Sequence, residues 1–417
     1  MMKQYFYDLA KRIESKLASE PESKSPRKIF ALEVARLGQR LYDEENQVAW
    51  CGVAAPFDLL SAMDVTSCFV EFVGGILAAT GFAETFLEEA EQAGFGGDTC
   101  GYHRTVMGAA RKGLMPSPSF LIATSCPCSG GQAAVENLAR YFDKDLFMLN
   151  VPQEDTREGV AYLADQLRDM VRFVSDHTGK SLNEDRLRET VDLTNEARKT
   201  LLDVYRLASS VPSPVNGKLL SNFGIIMNLF LGIPAGVDVA RTFRDDFAAK
   251  VQEGLSGIDE ERIRLMWIQN RIQFQQPLVQ MMEDRYGAVV VVDELNDINW
   301  EPIDSDDPFA SMALRAILNP FNGSVGRRIE LLQKLAKTYR VDGAINPCHW
   351  GCRQGTGSRG MLAQGLKDID VPVLNLEVDC VDTRNFAEGQ LATRLEAFVE
   401  ILQNRESPWR ERKDSEK

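Results

Sequence analysis

The first 46 residues carry apolar positions at helical spacing in two segments, separated by a polar break at residues 19–26. In the second segment these positions include Ile29, Leu32 and Leu41. Apolar residues repeating every three to four positions form a stripe on one face of a helix. We therefore predict two N-terminal helices in residues 1–46 that pack on the domain that follows.

From residue 47 the pattern changes to short apolar runs that alternate with helical segments. The predicted strands are residues 47–54, 119–124, 146–151, 287–294 and 341–345. Runs of β-branched residues suit buried parallel strands, and strands that alternate with helices indicate an α/β fold. The pattern predicts two flavodoxin-like parallel-sheet units, residues 47–153 and 287–405, that face each other across a cleft.

The middle of the chain, residues 154–286, has a mainly helical pattern. The predicted helices there are residues 160–177, 183–208 and 258–286. Asn183 is a favoured residue type for the start of a helix. The uncharged run at residues 222–234 is expected to belong to the core, and the alternative is that it lines an apolar cavity. The charged tail, residues 406–417, is expected to fray.

The net charge of −14 argues against a nucleic-acid groove or an anionic membrane surface as the main partner. No apolar run reaches the roughly 18–20 residues that span a bilayer, and the N-terminus has no apolar signal core. We expect a cytoplasmic protein with no nucleic-acid or membrane partner.

The chain has eight cysteines and only three histidines. A metal or redox site would therefore be built mainly from cysteine. Cysteine clusters in a long chain without a signal sequence favour metal or redox chemistry over disulfides. Six of them lie in or just after predicted strands or on a glycine-rich loop: Cys51, Cys100, Cys126, Cys128, Cys348 and Cys352. Ligands of open α/β sheets collect at the carboxyl ends of the strands. Cys68 fits a small buried hydrophobe, and Cys380 stays open between the two roles.

An iron–sulfur site between the two units is the interpretation we favour. Structural zinc sites use paired cysteines and often histidine, and only the pair Cys348 and Cys352 has suitable spacing. The C-x-x-C motif of thioredoxin-like redox proteins is absent. Iron–sulfur clusters take thiolates from a few loops, and helix starts supply N–H donors. Zinc remains the alternative.

At these residues the sequence resembles the benzoyl-CoA reductase / 2-hydroxyacyl-CoA dehydratase family. The segments that carry the resemblance are 56–60 with Ala62, 100–104, 128–130 with Glu136, and 349–354. The closing segment from Pro372 through Asp379, Asp382 and Arg384 to Phe398 also resembles the family's C-terminus. The independent cysteine loops occur in the family's order, which makes the resemblance specific.

The resemblance implies that Cys100, Cys128 and Cys352 ligate a [4Fe-4S] cluster between two α/β domains, with the fourth iron open to water or substrate. It also implies reactions that move single electrons onto a CoA thioester. The expected partners are a homologous second subunit and an ATP-hydrolysing iron–sulfur protein that donates the electrons.

Departures from the family pattern leave the reaction and the cluster type open. Ser129 stands where dehydratases usually have an acidic residue, and Asp58 replaces a glutamate pair, which puts a general-base role for Asp58 in doubt. The additional cysteines Cys51, Cys126 and Cys348 suit a double-cubane cluster, or else they are spare or lie next to the ligands.

Five further residues are candidates by position. His103, His349 and Tyr102 are candidate proton donors to the substrate, or alternatively donors to a cluster sulfur. Arg104 and Arg353 are placed to counter the cluster charge or to anchor a CoA phosphate, and the alternative for each is an ordinary salt bridge.

Our first hypothesis is the iron–sulfur subunit of an ATP-dependent aryl-CoA reductase of the benzoyl-CoA type, favoured by the departures at Ser129 and Asp58. The second is a 2-hydroxyacyl-CoA dehydratase subunit, and the third is a double-cubane reductase of small molecules. A non-catalytic electron-transfer or scaffold subunit is the alternative from another class.

Overall fold

The structure is a computed structural model, and it describes residues 2–19 and 25–409. Its strands are β1 (Val48–Cys51), β2 (Thr66–Phe69), β3 (Phe120–Thr124), β4 (Leu146–Leu149), β5 (Ile263–Trp267), β6 (Ala288–Asp293), β7 (Gly343–Asn346) and β8 (Val373–Asn375). Its α-helices are α1 (Met2–Ser19), α2 (Pro26–Leu41), α3 (Phe57–Ala62), α4 (Glu71–Ala79), α5 (Ala83–Gln92), α6 (Gly101–Arg111), α7 (Ser129–Phe142), α8 (Arg157–Thr178), α9 (Glu184–Ala208), α10 (Phe223–Met227), α11 (Pro234–Glu253), α12 (Leu278–Tyr286), α13 (Pro308–Ile317), α14 (Val325–Tyr339), α15 (Arg353–Lys367) and α16 (Glu388–Gln403).

Within the described residues, the strands form two four-stranded parallel sheets with the same topology. The first sheet has the order β2-β1-β3-β4 and the second has the order β6-β5-β7-β8. In each sheet the first strand of the unit pairs with the second and the third, which is the doubly wound arrangement of flavodoxin-like folds. The predicted α/β fold with two flavodoxin-like units is confirmed.

One predicted helix is wrong. Residues 258–286 were expected to form a single helix, whereas Ile263–Trp267 is β5 and only Leu278–Tyr286 is helical. Every residue of β5 is buried, because the strand lies between β6 and β7. A continuous apolar run has the same sequence pattern in a buried strand as in a buried helix. The second sheet therefore begins inside the segment predicted as helical.

The two N-terminal helices and the middle helices predicted at residues 160–177 and 183–208 follow the predicted pattern. Helix α1 packs on α2, where Gly38 leaves room for the Phe6 ring, since a Cβ there would lie 2.3 Å from it. Asn183 caps α9 by accepting hydrogen bonds from the backbone of Asp185 and Arg186. The predicted polar break and the predicted charged tail fall partly at residues 20–24 and 410–417, outside the described residues.

The two sheets share an apolar core. One continuous cluster of buried side chains includes Trp50 and Phe120 from the first sheet and Val291 and Ala344 from the second. This packing brings loops at the carboxyl ends of both sheets to one cavity. None of the helices in the described part of the chain is long and apolar enough to cross a membrane.

Candidate functional site

Three cysteines each stand at the start of a helix and line the same cavity. Cys100 precedes α6, Cys128 precedes α7 and Cys352 precedes α15. The cavity has a volume of about 440 Å³. Free N–H groups and the helix dipole favour negative charge at a helix N-terminus. The N-termini of α6, α7 and α15 therefore favour a negatively charged group, such as a thiolate, on this side of the cavity.

Each of these three sulfurs has an N–H donor beside it. His349 Nε2 lies 3.2 Å from Cys100 Sγ, and the backbone N–H of Gly131 donates to Cys128 Sγ at 3.3 Å. The Gln269 side-chain amide donates to Cys352 Sγ at 3.4 Å. Hydrogen bonds to a sulfur stabilise its charged form and tune the potential of a bound cluster.

Burial raises the pKa of all three thiols, and it raises the pKa of Cys128 to about 11. Backbone N–H groups at the helix starts act in the opposite direction on each pKa. A buried thiol loses its proton when a metal supplies compensating positive charge. The three groups therefore suit metal ligation better than they suit nucleophilic chemistry, which needs a lowered pKa.

His349 contacts a cavity cysteine but does not itself line the cavity. Its Nδ1 accepts a hydrogen bond from the Cys380 backbone N–H at 2.9 Å, so the ring proton belongs on Nε2, facing Cys100. Burial lowers the pKa of His349 to about 4, which keeps the ring neutral. Because both ring nitrogens are engaged, any effect of His349 on chemistry passes through the Cys100 sulfur.

His103 and Tyr102 both line the cavity. His103 Nε2 lies 3.1 Å from Glu71 Oε1, while His103 Nδ1 and Glu71 Oε2 are buried without a hydrogen-bond partner among the described residues. The Tyr102 hydroxyl accepts a hydrogen bond from Gln273 at 2.8 Å. His103 therefore retains a free ring nitrogen, whereas the Tyr102 hydroxyl is engaged.

The two candidate arginines lie outside the cavity lining. Arg104 is buried and donates to the Thr99 carbonyl at 2.9 Å, to Glu91 at 2.5 Å and to Asp379 at 3.2 Å. Arg353 has a side chain that is 81% exposed and pairs with Asp98 at 2.9 Å. Both make the salt bridges that were the alternative interpretation, so we assign neither a contact to cofactor or substrate.

The three additional cysteines are also outside the cavity lining. Cys51 is buried in the middle of the first sheet, Cys126 is 3% exposed, and Cys348 Sγ lies 3.4 Å from Asn375 Oδ1. Cys380 is buried and lies 3.8 Å from the Asn270 carbonyl, and Cys68 is buried in β2. The structure brings Cys100, Cys128 and Cys352 to one cavity and leaves the others elsewhere. Within the described residues, no three His, Cys, Asp or Glu side chains are grouped for a single metal ion.

Gln269 is a site residue that the sequence analysis missed. Its backbone N–H donates to Glu294 at 2.9 Å, and Glu294 is held by Arg328 through contacts of 2.5 and 2.8 Å. Gly355 lies directly beside it, and a Cβ there would lie 2.1 Å from the Gln269 amide nitrogen, so a larger residue would displace the amide. Gln269 Oε1 is buried without a partner among the described residues. No local motif marks this glutamine, since its contact to Cys352 spans 83 positions.

Asp58 and the uncharged run are placed clearly by the structure. Burial raises the pKa of Asp58, but the two contacts to Arg315 outweigh it and hold the pKa below its usual value. A carboxylate locked in this pair is a poor general base. In the run 222–234, Ile225 and Ile226 line the cavity, whereas Phe223 and Phe230 are fully buried in the core, so each interpretation holds for part of the run.

Gly351 lies where the loop of Cys352 packs against the backbone of Cys100. We expect alanine at this position to disrupt that contact. The φ of Gly351 is +75°, and a Cβ would lie 2.4 Å from the Cys100 backbone nitrogen. Gly351→Ala should lower the free energy of unfolding by about 1–3 kcal/mol, measured by urea denaturation. Gly357→Ala is the matched control, because nothing lies within 4 Å of its Cβ position. Equal denaturation midpoints for the two variants would contradict this account of the loop contact.

The chain is similar in sequence to several known proteins. The chain matches the family model "2-hydroxyglutaryl-CoA dehydratase, D-component" over residues 53–402. It is 25% identical to the (R)-phenyllactyl-CoA dehydratase alpha subunit of Clostridium sporogenes, over 86% of this chain and 90% of the relative. It is 22% identical to the alpha subunit of lactoyl-CoA dehydratase of Anaerotignum propionicum, over 85% and 90% of the two chains. It is 25% identical to a benzoyl-CoA reductase subunit of Thauera aromatica, over 76% and 80%.

Proposed function

Because this chain belongs to the 2-hydroxyglutaryl-CoA dehydratase D-component family, we propose that it is the iron–sulfur subunit of a 2-hydroxyacyl-CoA dehydratase. The family that the cysteine motifs indicated is confirmed, and its named relatives include both dehydratase and benzoyl-CoA reductase subunits. The observation that carries the proposal is the meeting of Cys100, Cys128 and Cys352 at one cavity.

The residues around the cavity fit a [4Fe-4S] cluster with three protein thiolates. Three helix N-termini and three N–H donors compensate negative charge at the sulfurs. A cluster bound there would supply single electrons and one iron without a protein ligand. A double cubane would need Cys51, Cys126 and Cys348 as well, and since these lie outside the cavity lining, the proposal uses one cluster.

Dehydration is favoured over aromatic reduction by the hydrogen-bonding character of the cavity. Gln269 Oε1 and Glu71 Oε2 are buried acceptors without partners among the described residues, and both residues line the cavity. Buried acceptors without a donor are costly, so a ligand that donates hydrogen bonds suits them. A 2-hydroxyacyl group carries such a donor, whereas the ring and carbonyl of an aryl thioester carry none.

The chain's own residues then have distinct tasks in converting a 2-hydroxyacyl-CoA to an enoyl-CoA and water. Gln269 Oε1 accepts the hydrogen bond of the substrate hydroxyl while its amide nitrogen holds Cys352. The pair Glu71 and His103 is placed to exchange a proton with the substrate, through Glu71 Oε2 or His103 Nδ1. His349 positions the Cys100 sulfur, and Tyr102 closes the wall beside it.

Two partners follow from this proposal. Each of the three relatives is named as a subunit, which supports a second, homologous subunit for this chain. An ATP-hydrolysing iron–sulfur protein is proposed as the electron donor, because the first electron must arrive at low potential from outside the chain.

The direct test is an anaerobic assay of the chain expressed with its partner subunit. After activation by the electron donor, ATP and a strong reductant, we expect a 2-hydroxyacyl-CoA to lose water many times per electron consumed. The Cys352→Ala variant should show no turnover. Reductant consumption in step with the conversion of an aryl-CoA, with no dehydration, would overturn the dehydratase proposal.

An aryl-CoA reductase subunit is the second candidate function. The relative named as a benzoyl-CoA reductase subunit and the apolar walls of the cavity favour it. The same assay separates the two, because reduction consumes reductant in proportion to product and dehydration does not.

A further inference from the structure

Apolar side chains from several elements form most of the cavity wall. Phe57 and Phe72 come from α3 and α4, Ile76 lies one turn further along α4, and Leu167 comes from α8. Trp300 adds an aromatic surface from the loop that precedes α13. Apolar walls with a few placed polar groups are typical of pockets for small ligands. The part of a ligand that lies against these residues is therefore apolar.

Among the described residues, the cavity lining offers no lysine or arginine that is free to pair with a ligand carboxylate. Arg315 is the one lysine or arginine among the described residues that line it. Both of its terminal nitrogens contact Asp58 at 2.7 Å, and its guanidinium lies over the Trp300 ring at 5.2 Å. Because Asp58 is only 1% exposed, this pair is sequestered, and the charge of Arg315 is already compensated.

The remaining acidic groups of the lining provide no counter-charge for an anionic acyl group. Glu71 Oε2 and Asp297 Oδ2 are buried without hydrogen-bond partners among the described residues, and Glu294 is neutralised by Arg328. A second carboxylate in the ligand would lie near these oxygens without a counter-ion, and burying an unpaired charge is strongly unfavourable.

The volume of the cavity also selects among acyl groups. About 440 Å³ lies within the range of pockets for drug-sized molecules, and the acyl group takes the part of this volume that the proposed cluster beside the three cysteines leaves. A methyl side chain would leave much of this apolar wall without contact, whereas an aromatic or branched side chain would bury against it.

We propose that this cavity binds the acyl group of a CoA thioester whose side chain is uncharged and bulky, either aromatic or branched, and rejects acyl groups that carry a second carboxylate. The inference rests on the proposed function, because it takes the acyl group to lie beside the three cysteines. It assigns the selectivity to this chain and not to its partner subunit.

The test measures the dissociation constants of four 2-hydroxyacyl-CoA thioesters by anaerobic calorimetry, using the full chain with its cluster and partner subunit. The acyl side chains are benzyl, isobutyl, methyl and carboxyethyl. We expect the benzyl and isobutyl compounds to bind at least about tenfold more tightly than the carboxyethyl compound and also more tightly than the methyl compound. Equal or tighter binding of the carboxyethyl compound would overturn the inference.

A variant of the cavity wall tests whether this cavity causes the preference among acyl groups. Ile76→Arg places a free cation in the lining, and it should shift the ratio of benzyl to carboxyethyl affinity by at least about tenfold towards the carboxylate. Ile401→Arg is the matched control, because Ile401 is 54% exposed on α16 and outside the lining. The same ratio in both variants would overturn the assignment to this cavity.

The outcomes also separate this inference from the proposed function. Dehydration activity with a preference for the carboxyethyl substrate would remove the inference and leave the function standing. Absence of binding by all four thioesters to the cluster-loaded protein would remove both.

Discussion

Replacing Cys100, Cys128 or Cys352 by alanine is expected to abolish binding of the proposed iron–sulfur cluster. Each thiol stands at a helix start on the wall of one cavity, and each has an N–H donor beside its sulfur. A cluster with three protein thiolates loses a ligand in every case. Iron in the anaerobically purified protein should fall from about four per chain to near zero, measured together with the visible absorption of the cluster.

The matched controls are Cys51→Ala, Cys126→Ala and Cys348→Ala. These thiols are buried but lie outside the cavity lining, so their loss should leave the iron content unchanged. A small loss of stability is expected from the removed sulfur in the core. Loss of half of the iron in any control variant would contradict the single-cluster proposal and support a double cubane.

Replacing Arg328 by methionine is expected to destabilise the protein by about 3–5 kcal/mol. Arg328 is 2% exposed and contacts both oxygens of Glu294, whose side chain is fully buried. Without the arginine, the Glu294 carboxylate is buried with no counter-charge, and this desolvation cost dominates the effect. The measurement is the urea denaturation of the variant against the unchanged chain.

Two controls give this prediction its specificity. Arg186→Met removes an exposed salt bridge to Glu189 and should change stability by at most about 1 kcal/mol. The double variant Glu294→Leu with Arg328→Met should recover much of the lost stability, because no unpaired charge remains. A single Arg328 variant as stable as the Arg186 variant would contradict the account.

The same network links stability to the site. Glu294 accepts the backbone N–H of Gln269, and Gln269 donates to the Cys352 sulfur. The double variant Glu294→Leu with Arg328→Met lacks the carboxylate that accepts the Gln269 N–H, even though its stability is recovered. The absorption spectrum of the proposed cluster should therefore still differ from that of the unchanged chain.

Much of the fold followed from local pattern. The apolar runs before Cys128 and Cys352 are strands of the two parallel sheets, as predicted. A short apolar run that ends at a glycine-rich loop is typical of a buried strand, which is why these two strands could be predicted. The same pattern hid β5, since a fully buried strand lacks the alternation that separates strand from helix.

The candidate site was predictable only where the chemistry was local. Cysteines at strand ends were visible in the sequence, and so was their expected meeting at the sheet edges. Gln269, Glu71 and Arg315 were not, because their roles depend on contacts to residues far away in sequence. Arg104 shows the reverse case, a residue next to a cysteine motif whose guanidinium is occupied by a buried salt-bridge network.

The count of iron and acid-labile sulfide in the anaerobically purified chain tests the central proposal most directly. One cluster held by Cys100, Cys128 and Cys352 predicts about four iron and about four sulfide per chain. About eight of each would contradict the single cluster, and stoichiometric zinc without sulfide would contradict an iron–sulfur site altogether.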